Sequence, residues 1–231
     1  RQTIQQAESF GIKVVESQPH TTALPREFLN SEAIFVTTCS KLFNGKSVFG
    51  VDGSNREPVF VDSIVLDDAH RCLDTIRDTF SVKVRANDDD NEKNPLYDEI
   101  FNLFKAALEK QAPGTYADIS QGHDECILAV PYWSWTEKTT DLLLILQKNK
   151  ESKELVFTWN LIKNHLEYCS CIISGQRIEI VPRLIPISLI PSFAEAKTRI
   201  FLSATLNEDA FLIKDLDINP TRIANPLSYS G

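Results

Sequence analysis

Asp67 and Asp68 stand side by side at the end of an apolar run, in the stretch VDSIVLDDAHRCL at residues 61–73. Adjacent carboxylates in this setting can divide two tasks of phosphate chemistry. One holds a hard divalent cation, usually through its waters, and the other orients or deprotonates an attacking water. A plainer role is open to the same residues, because an Asp at a strand-to-helix junction can simply cap the helix that follows. Ser203, Ala204 and Thr205 close a second apolar run, RIFLSATL at residues 199–206, where Ser and Thr could equally begin an ordinary turn. Thr37 and Thr38 end a third, AIFVTT at residues 33–38. Their hydroxyls suit either contacts to a phosphate backbone or local hydrogen bonds at a strand end.

The elements that must position these residues are those of an α/β fold. A run of branched aliphatics ending at two acids reads as a buried parallel strand, whose carboxyl end faces the crevice where open α/β sheets bind ligands. Upstream, Ile4, Ala7 and Phe10 lie at helical spacing before a capping Gly11, and IKVV at residues 12–15 reads as a strand. Helix, strand, loop, strand in that order predicts a parallel sheet with crossovers. A helix is expected from about residue 70 to 80. The acidic tract ANDDDNEKN at residues 86–94 is expected to be a solvated, mobile loop, since like charges cannot offset its ordering entropy.

Beyond the tract the pattern turns helical. Asn94 can cap, Pro95 suits a first turn, and Leu96, Ile100, Leu103, Phe104, Ala107 and Leu108 share one face that either a core or a protein partner could cover. Residues 136–148 and 153–168 predict two more helices, so residues 86–168 read as a mainly helical insertion between two parts of one α/β domain, 1–85 and 169–231. CSCIIS at residues 169–174 and RIEIVP at residues 177–182, around Gly175 and Gln176, predict a hairpin returning to the sheet. A short helix from Asn207 to about residue 216 is expected to follow the last strand.

Composition bounds the function. With 231 residues and 42% apolar content the chain can bury a sizeable core. No run is long and apolar enough to span a bilayer and the first residues lack a signal-peptide pattern, so an intracellular location, cytoplasmic or nuclear, with no membrane partner, is expected. A chain that starts at Arg1 and contains no Met is expected to be part of a longer product. Of the net charge of −8, most belongs to residues 67–125, with 14 acids against 7 bases. That argues against a stand-alone module held to nucleic acid by a basic surface, though not against a motor that grips phosphates through hydroxyls and N–H groups. Five scattered cysteines describe reduced thiols and no metal set.

Gly45-Lys46-Ser47 invites reading as a phosphate-binding loop. Ser40 stands where the first Gly of GxxxxGK[ST] belongs, and GVDGSNREP at residues 50–58 cannot supply the required helix. The loop is therefore rejected, and a true one is expected to precede Arg1. Tyr132, Trp133 and Trp135 could stack on bases, but with no Lys or Arg in residues 124–137 they are expected to anchor packing.

DDAH at residues 67–70 resembles motif II of the superfamily 2 DEAD/DEAH-box helicases, and SATL at residues 203–206 resembles their motif III. The pair, in order and each after an apolar strand, resembles the first RecA-like motor domain of that family, with an insertion between the motifs. The resemblance implies ATP as substrate and Mg²⁺ as cofactor. Asp67 would hold the metal, partly through water, Asp68 would act as the base, and His70 would couple hydrolysis to a second RecA-like domain. It also implies a relay through Ser203 and Thr205, and contacts of Thr37 and Thr38 with the tracking strand. Asp68 departs from the family's Glu and is one CH₂ shorter. The insertion is similar to that of the arch-bearing DNA-repair helicases, which favours DNA over RNA, although their iron–sulfur cysteines are not recognisable here.

Overall fold

Short strands and longer amphipathic helices alternate along the chain in a computed structural model that describes residues 2–88, 90–203 and 209–223. In order, they are α1 (Gln2–Ser9), β1 (Val14–Glu16), α2 (Arg26–Leu29), β2 (Ile34–Val36), α3 (Cys39–Leu42), β3 (Ser63–Leu66), α4 (Ala69–Thr79) and β4 (Val82–Arg85). Next come α5 (Pro95–Gln111), α6 (Pro113–Ser120), β5 (Ile127–Ala129), α7 (Tyr132–Lys148), α8 (Trp159–Ile162), β6 (Cys169–Ser174) and β7 (Arg177–Pro182). The described chain ends with α9 (Pro191–Ala194), β8 (Thr198–Phe201) and α10 (Asp209–Lys214). The mixed α/β class agrees with the sequence pattern. Asn207, the expected cap of the last helix, lies outside the described residues.

The sheets are smaller than the sequence suggests. Parallel pairing is confined to two ladders, β1 with β2 and β3 with β8, while the largest sheet is antiparallel in the order β4-β7-β6-β5. The hairpin of β6 and β7 does form, but it pairs with β4 and β5 instead of returning to the parallel strands. The reason is in the side chains. β4 reads Val-Lys-Val-Arg with its valines fully buried, and β7 places Ile178 and Ile180 opposite them. This is the half-buried alternation of an antiparallel sheet with one face on a core.

That core lies between the antiparallel sheet and two long helices. Asn94 caps α5 by accepting from Leu96 N at 3.1 Å, and Pro95 occupies the first helical position. Its buried residues, Leu96, Ile100, Phe104 and Leu108, recur every four positions and meet α7. The face that the sequence offers to a core or to a partner is thus taken by the chain's own core. Trp135 of α7 stacks on Phe104 at 5.8 Å between centroids and donates Nε1–H to Leu166 O at 3.0 Å. Gly175 makes the hairpin turn possible, because a Cβ there would come 2.3 Å from the backbone of Gly122.

Three segments depart from periodicity for identifiable reasons. Residues 153–168 do not form one helix: turns lead into α8, followed by a 3₁₀ turn at Leu166–Tyr168. A tertiary donor claims a carbonyl a helix would use, Phe157 O accepting from Gly45 N in place of Leu161 N. The described residues of the acidic tract form a largely exposed loop with local bonds of their own. Asn87 bridges Lys93, and Asp88 Oδ1 accepts from the backbone N–H groups of Asp90 and Glu92 at 3.0 and 2.9 Å. The strand ending at Leu66 is not buried on both faces either, since Val65 is 56% exposed and its partner Ile200 45%.

Between the two kinds of sheet, the proline-rich segment after β7 supplies the junction. Phe193 of α9 is fully buried, packs edge-on against Phe43 at 5.0 Å and reaches Phe201 of β8 at 6.5 Å. These contacts predict unequal effects for two neighbouring tryptophans. Trp135→Ala is expected to lower the unfolding free energy by about 3–5 kcal/mol, whereas the 64%-exposed Trp133→Ala should stay within about 0.5 kcal/mol of the parent in urea denaturation.

Candidate functional site

Parallel pairing of β3 with β8 brings the two polar strand ends together. Leu66 lies in register with Phe201, and the ladder continues beyond both strands: Leu202 N donates to Leu66 O at 2.9 Å, and Ala69 N donates to Leu202 O at 2.8 Å. The turn at residues 67–68 is therefore clasped between β3 and the residue that follows β8. Asp67, Asp68, Leu202 and Ser203 line an open depression of about 390 Å³.

The local conformation is unusual at Asp68. It takes left-handed backbone angles, φ 50° and ψ 56°, and occupies the N-cap position of α4 without a side-chain capping hydrogen bond. Asp is among the few L-residues that visit this region readily. The capping role open to it from sequence is thus not the one its carboxylate plays. One helix donor that a cap might satisfy, Ala69 N–H, is already taken by Leu202 O. Asp68 Oδ2 instead lies 3.9 Å from Arg71 Nε, an exposed pair of small energetic weight. Asp67 Oδ1 accepts from Asp68 N at 3.1 Å, and His70, in the first turn of α4, is exposed.

The remaining site residues fall in two places. Ser203 shares the depression with the acids, whereas Ala204 and Thr205 lie outside the described residues. Thr37 and Thr38 end β2 and lead into α3. The Thr37 hydroxyl is buried and finds no partner among the described residues, while exposed Thr38 has its Oγ1 3.2 Å from Ser40 Oγ. The start of α3 touches the start of α4, because Cys39 Sγ lies 3.5 Å from Cys72 O. Contact between the two thiols raises the pKa of Cys39, with burial adding to the rise. The same contact lowers that of Cys72, against burial and the charges of Asp68 and Asp67. These cysteines were invisible as a pair in the sequence, since their meeting depends on how α3 packs on α4.

Among the described residues no group of three or more His, Cys, Asp or Glu side chains could hold a metal ion by itself. Two exposed adjacent carboxylates with a nearby hydroxyl form an oxygen-only donor set. This fits Mg²⁺, which keeps several waters and takes one or two carboxylates together with substrate phosphates. It does not describe a closed resident site.

The tempting GKS tripeptide has a structural role. Gly45 sits so close to Phe157 that a Cβ would lie 2.7 Å from its carbonyl oxygen, and Asn160 Nδ2 donates to Gly45 O at 2.9 Å. Lys46 pairs with Glu151 at 3.4 Å, and no helix occurs between α3 and α4 among the described residues. Of the aromatic group, Trp135 is the packing anchor. Tyr132 and Trp133 are exposed, with the Arg183 guanidinium 5.8 Å from the Tyr132 ring. No described helix is long and apolar enough to cross a membrane.

The left-handed turn gives a stability test. With no cap bond to lose and a positive φ to relieve, Asp68→Gly is expected to be more stable than Asp68→Ala by about 1 kcal/mol in urea denaturation. The opposite order would mean that residue 68 does not hold the left-handed conformation. Matched against models of known protein families and against the curated proteins, the chain finds no counterpart in either comparison.

Proposed function

We propose that the chain belongs to the first RecA-like motor domain of an ATP-dependent helicase or translocase acting on nucleic acid, DNA in preference to RNA. One observation carries the reading. The two strand ends whose residues resemble motifs II and III are hydrogen-bonded neighbours, so that Asp67, Asp68 and Ser203 share one depression.

In this reading, Asp67 holds Mg²⁺ delivered with ATP, through the ion's waters. Asp68 orients the attacking water and accepts its proton as the terminal phosphoryl group is transferred. Its carboxylate is available for this because it makes no capping bond. Ser203 and Thr205 relay the state of the acids along β8, and His70, exposed in the first turn of α4, meets the second motor domain. Thr38, at the end of β2, contacts the backbone of the tracking strand, with Thr37 beneath it. Phosphate-binding backbone and an arginine from the second domain come from outside these residues, since Gly45-Lys46-Ser47 is committed to packing.

A second reading is a regulatory or structural module that keeps a helicase-like fold without hydrolysis. The observation favouring it is the short Asp68 side chain, which lies 3.9 Å from Arg71 and in a left-handed turn. Turnover separates the two. In the protein with its phosphate loop and second motor domain, Asp68→Asn is expected to reduce nucleic-acid-stimulated ATP hydrolysis by about 10²–10⁴-fold, the usual contribution of a positioned base. Unchanged turnover would remove Asp68 from the mechanism, and a parent protein with no turnover would favour the module. The 231-residue chain alone is expected to hydrolyse no ATP; turnover in it that Asp67→Ala abolishes would show that no outside phosphate loop is needed.

A further inference from the structure

Two of the five thiols meet beside the turn that carries the acids. Cys39 opens α3, directly after Thr38, and Cys72 lies in the first turns of α4. Cys39 Sγ is 3.5 Å from Cys72 O, Cys72 Sγ is 3.4 Å from Asp67 O, and α3 packs against α4 around them. Both are partly exposed, whereas Cys169 and Cys171 are buried, and Cys126 lies apart against Asp118 at 3.7 Å. A disulfide forms without backbone movement only where two cysteine side chains converge. The Cys39 sulfur already touches the Cys72 backbone, and both thiols are reachable by a small oxidant.

We propose that Cys39 and Cys72 are an oxidisable pair that closes to a disulfide under a hydroperoxide, tying the strand end bearing Thr37 and Thr38 to the helix that follows Asp67 and Asp68. The thiolate of one cysteine attacks a peroxide oxygen. The O–O bond breaks, water leaves after protonation, and a sulfenic acid remains. The second thiol then attacks that sulfur, the S–O bond breaks and a second water leaves, so two thiols lose two electrons and the peroxide becomes two waters. The bond would fix the start of α3 against the start of α4, across a chain segment that includes β3. Its effect on a motor cycle rests on the function proposed above; its formation does not.

The test is made on the 231-residue chain with a few equivalents of hydrogen peroxide, alkylation of the remaining thiols, and non-reducing peptide mapping by mass spectrometry. A peptide pair joined through Cys39 and Cys72, two hydrogens lighter than the sum, is expected, with Cys169 and Cys171 alkylated only after unfolding. Oxidation should raise Tm by roughly 5–10 °C, reversed by dithiothreitol. Cys39→Ser should abolish the crosslink and leave a sulfenic acid at Cys72 that dimedone traps. Recovery of Cys39 and Cys72 as separate alkylated peptides while Cys126 is oxidised would overturn the proposal, as would a crosslink that leaves Tm unchanged. Bond formation together with absent ATPase activity in the protein that carries the phosphate loop and second motor domain would overturn the functional reading and leave this one standing.

Discussion

Everything at the candidate site depends on one parallel pairing, that of β3 with β8. Parallel strands cannot be joined by a tight turn, and here the crossover between Leu66 and Thr198 contains the whole antiparallel sheet and its helices. Such a long excursion is affordable because loop-closure entropy grows only with the logarithm of length: a tenfold longer loop costs about 2 kcal/mol more. Burying roughly 80 Å² of apolar surface at ~25 cal/mol/Å² offsets that difference. The contacts of Phe193 with Phe43 and Phe201 lie where such burial holds β8 beside β3.

The pairing does more than align strands. By passing Leu202 N to Leu66 O and Ala69 N to Leu202 O, it extends the ladder through the turn that carries the acids. A conformational change at Ser203 would therefore be felt at Ala69, the first residue of α4, through a single peptide unit. This is a short physical route between the strand ends, made of backbone hydrogen bonds and not of long side chains. The Cys39–Cys72 contact supplies a second connection, from α4 to the end of β2. Three strand ends that sequence marks as polar are thus linked at their backbones or through thiols.

Much of this was legible in the sequence, and the failures have physical causes. The α5 stripe was readable because its period, its Asn94 cap and Pro95 agree, so local and tertiary preferences coincide. The helix after Asp68 was readable too, beginning at Ala69 where it was expected near residue 70. The partners of the β6–β7 hairpin were not readable. A strand's alternation says which face is buried but not which strand lies beside it. Likewise the carbonyl of Phe157 could serve a helix or Gly45, and only the fold decides. At the site, the proximity of Asp67 and Ser203 could be expected from paired motifs, while the left-handed backbone of Asp68 and its missing cap bond could not.

The exposed side of the β3–β8 ladder sharpens what the acids can be. Val65 and Ile200 form an apolar pair more than two-fifths exposed, and Leu202 continues it at 49%. Aliphatics on a strand that feeds two carboxylates into a depression are placed to exclude water from one side of it once covered, and exclusion strengthens a charge's hold on phosphate-bound metal. Left uncovered, the same acids face water. The short Asp68 makes this matter more, since its reach is one CH₂ less than a Glu at the same position. The left-handed turn redirects its Cα–Cβ bond, leaving the carboxylate without a capping bond and 3.9 Å from Arg71 of the same helix. In the function proposed above, backbone conformation, and not side-chain length, is the variable that would set where the Asp68 carboxylate points.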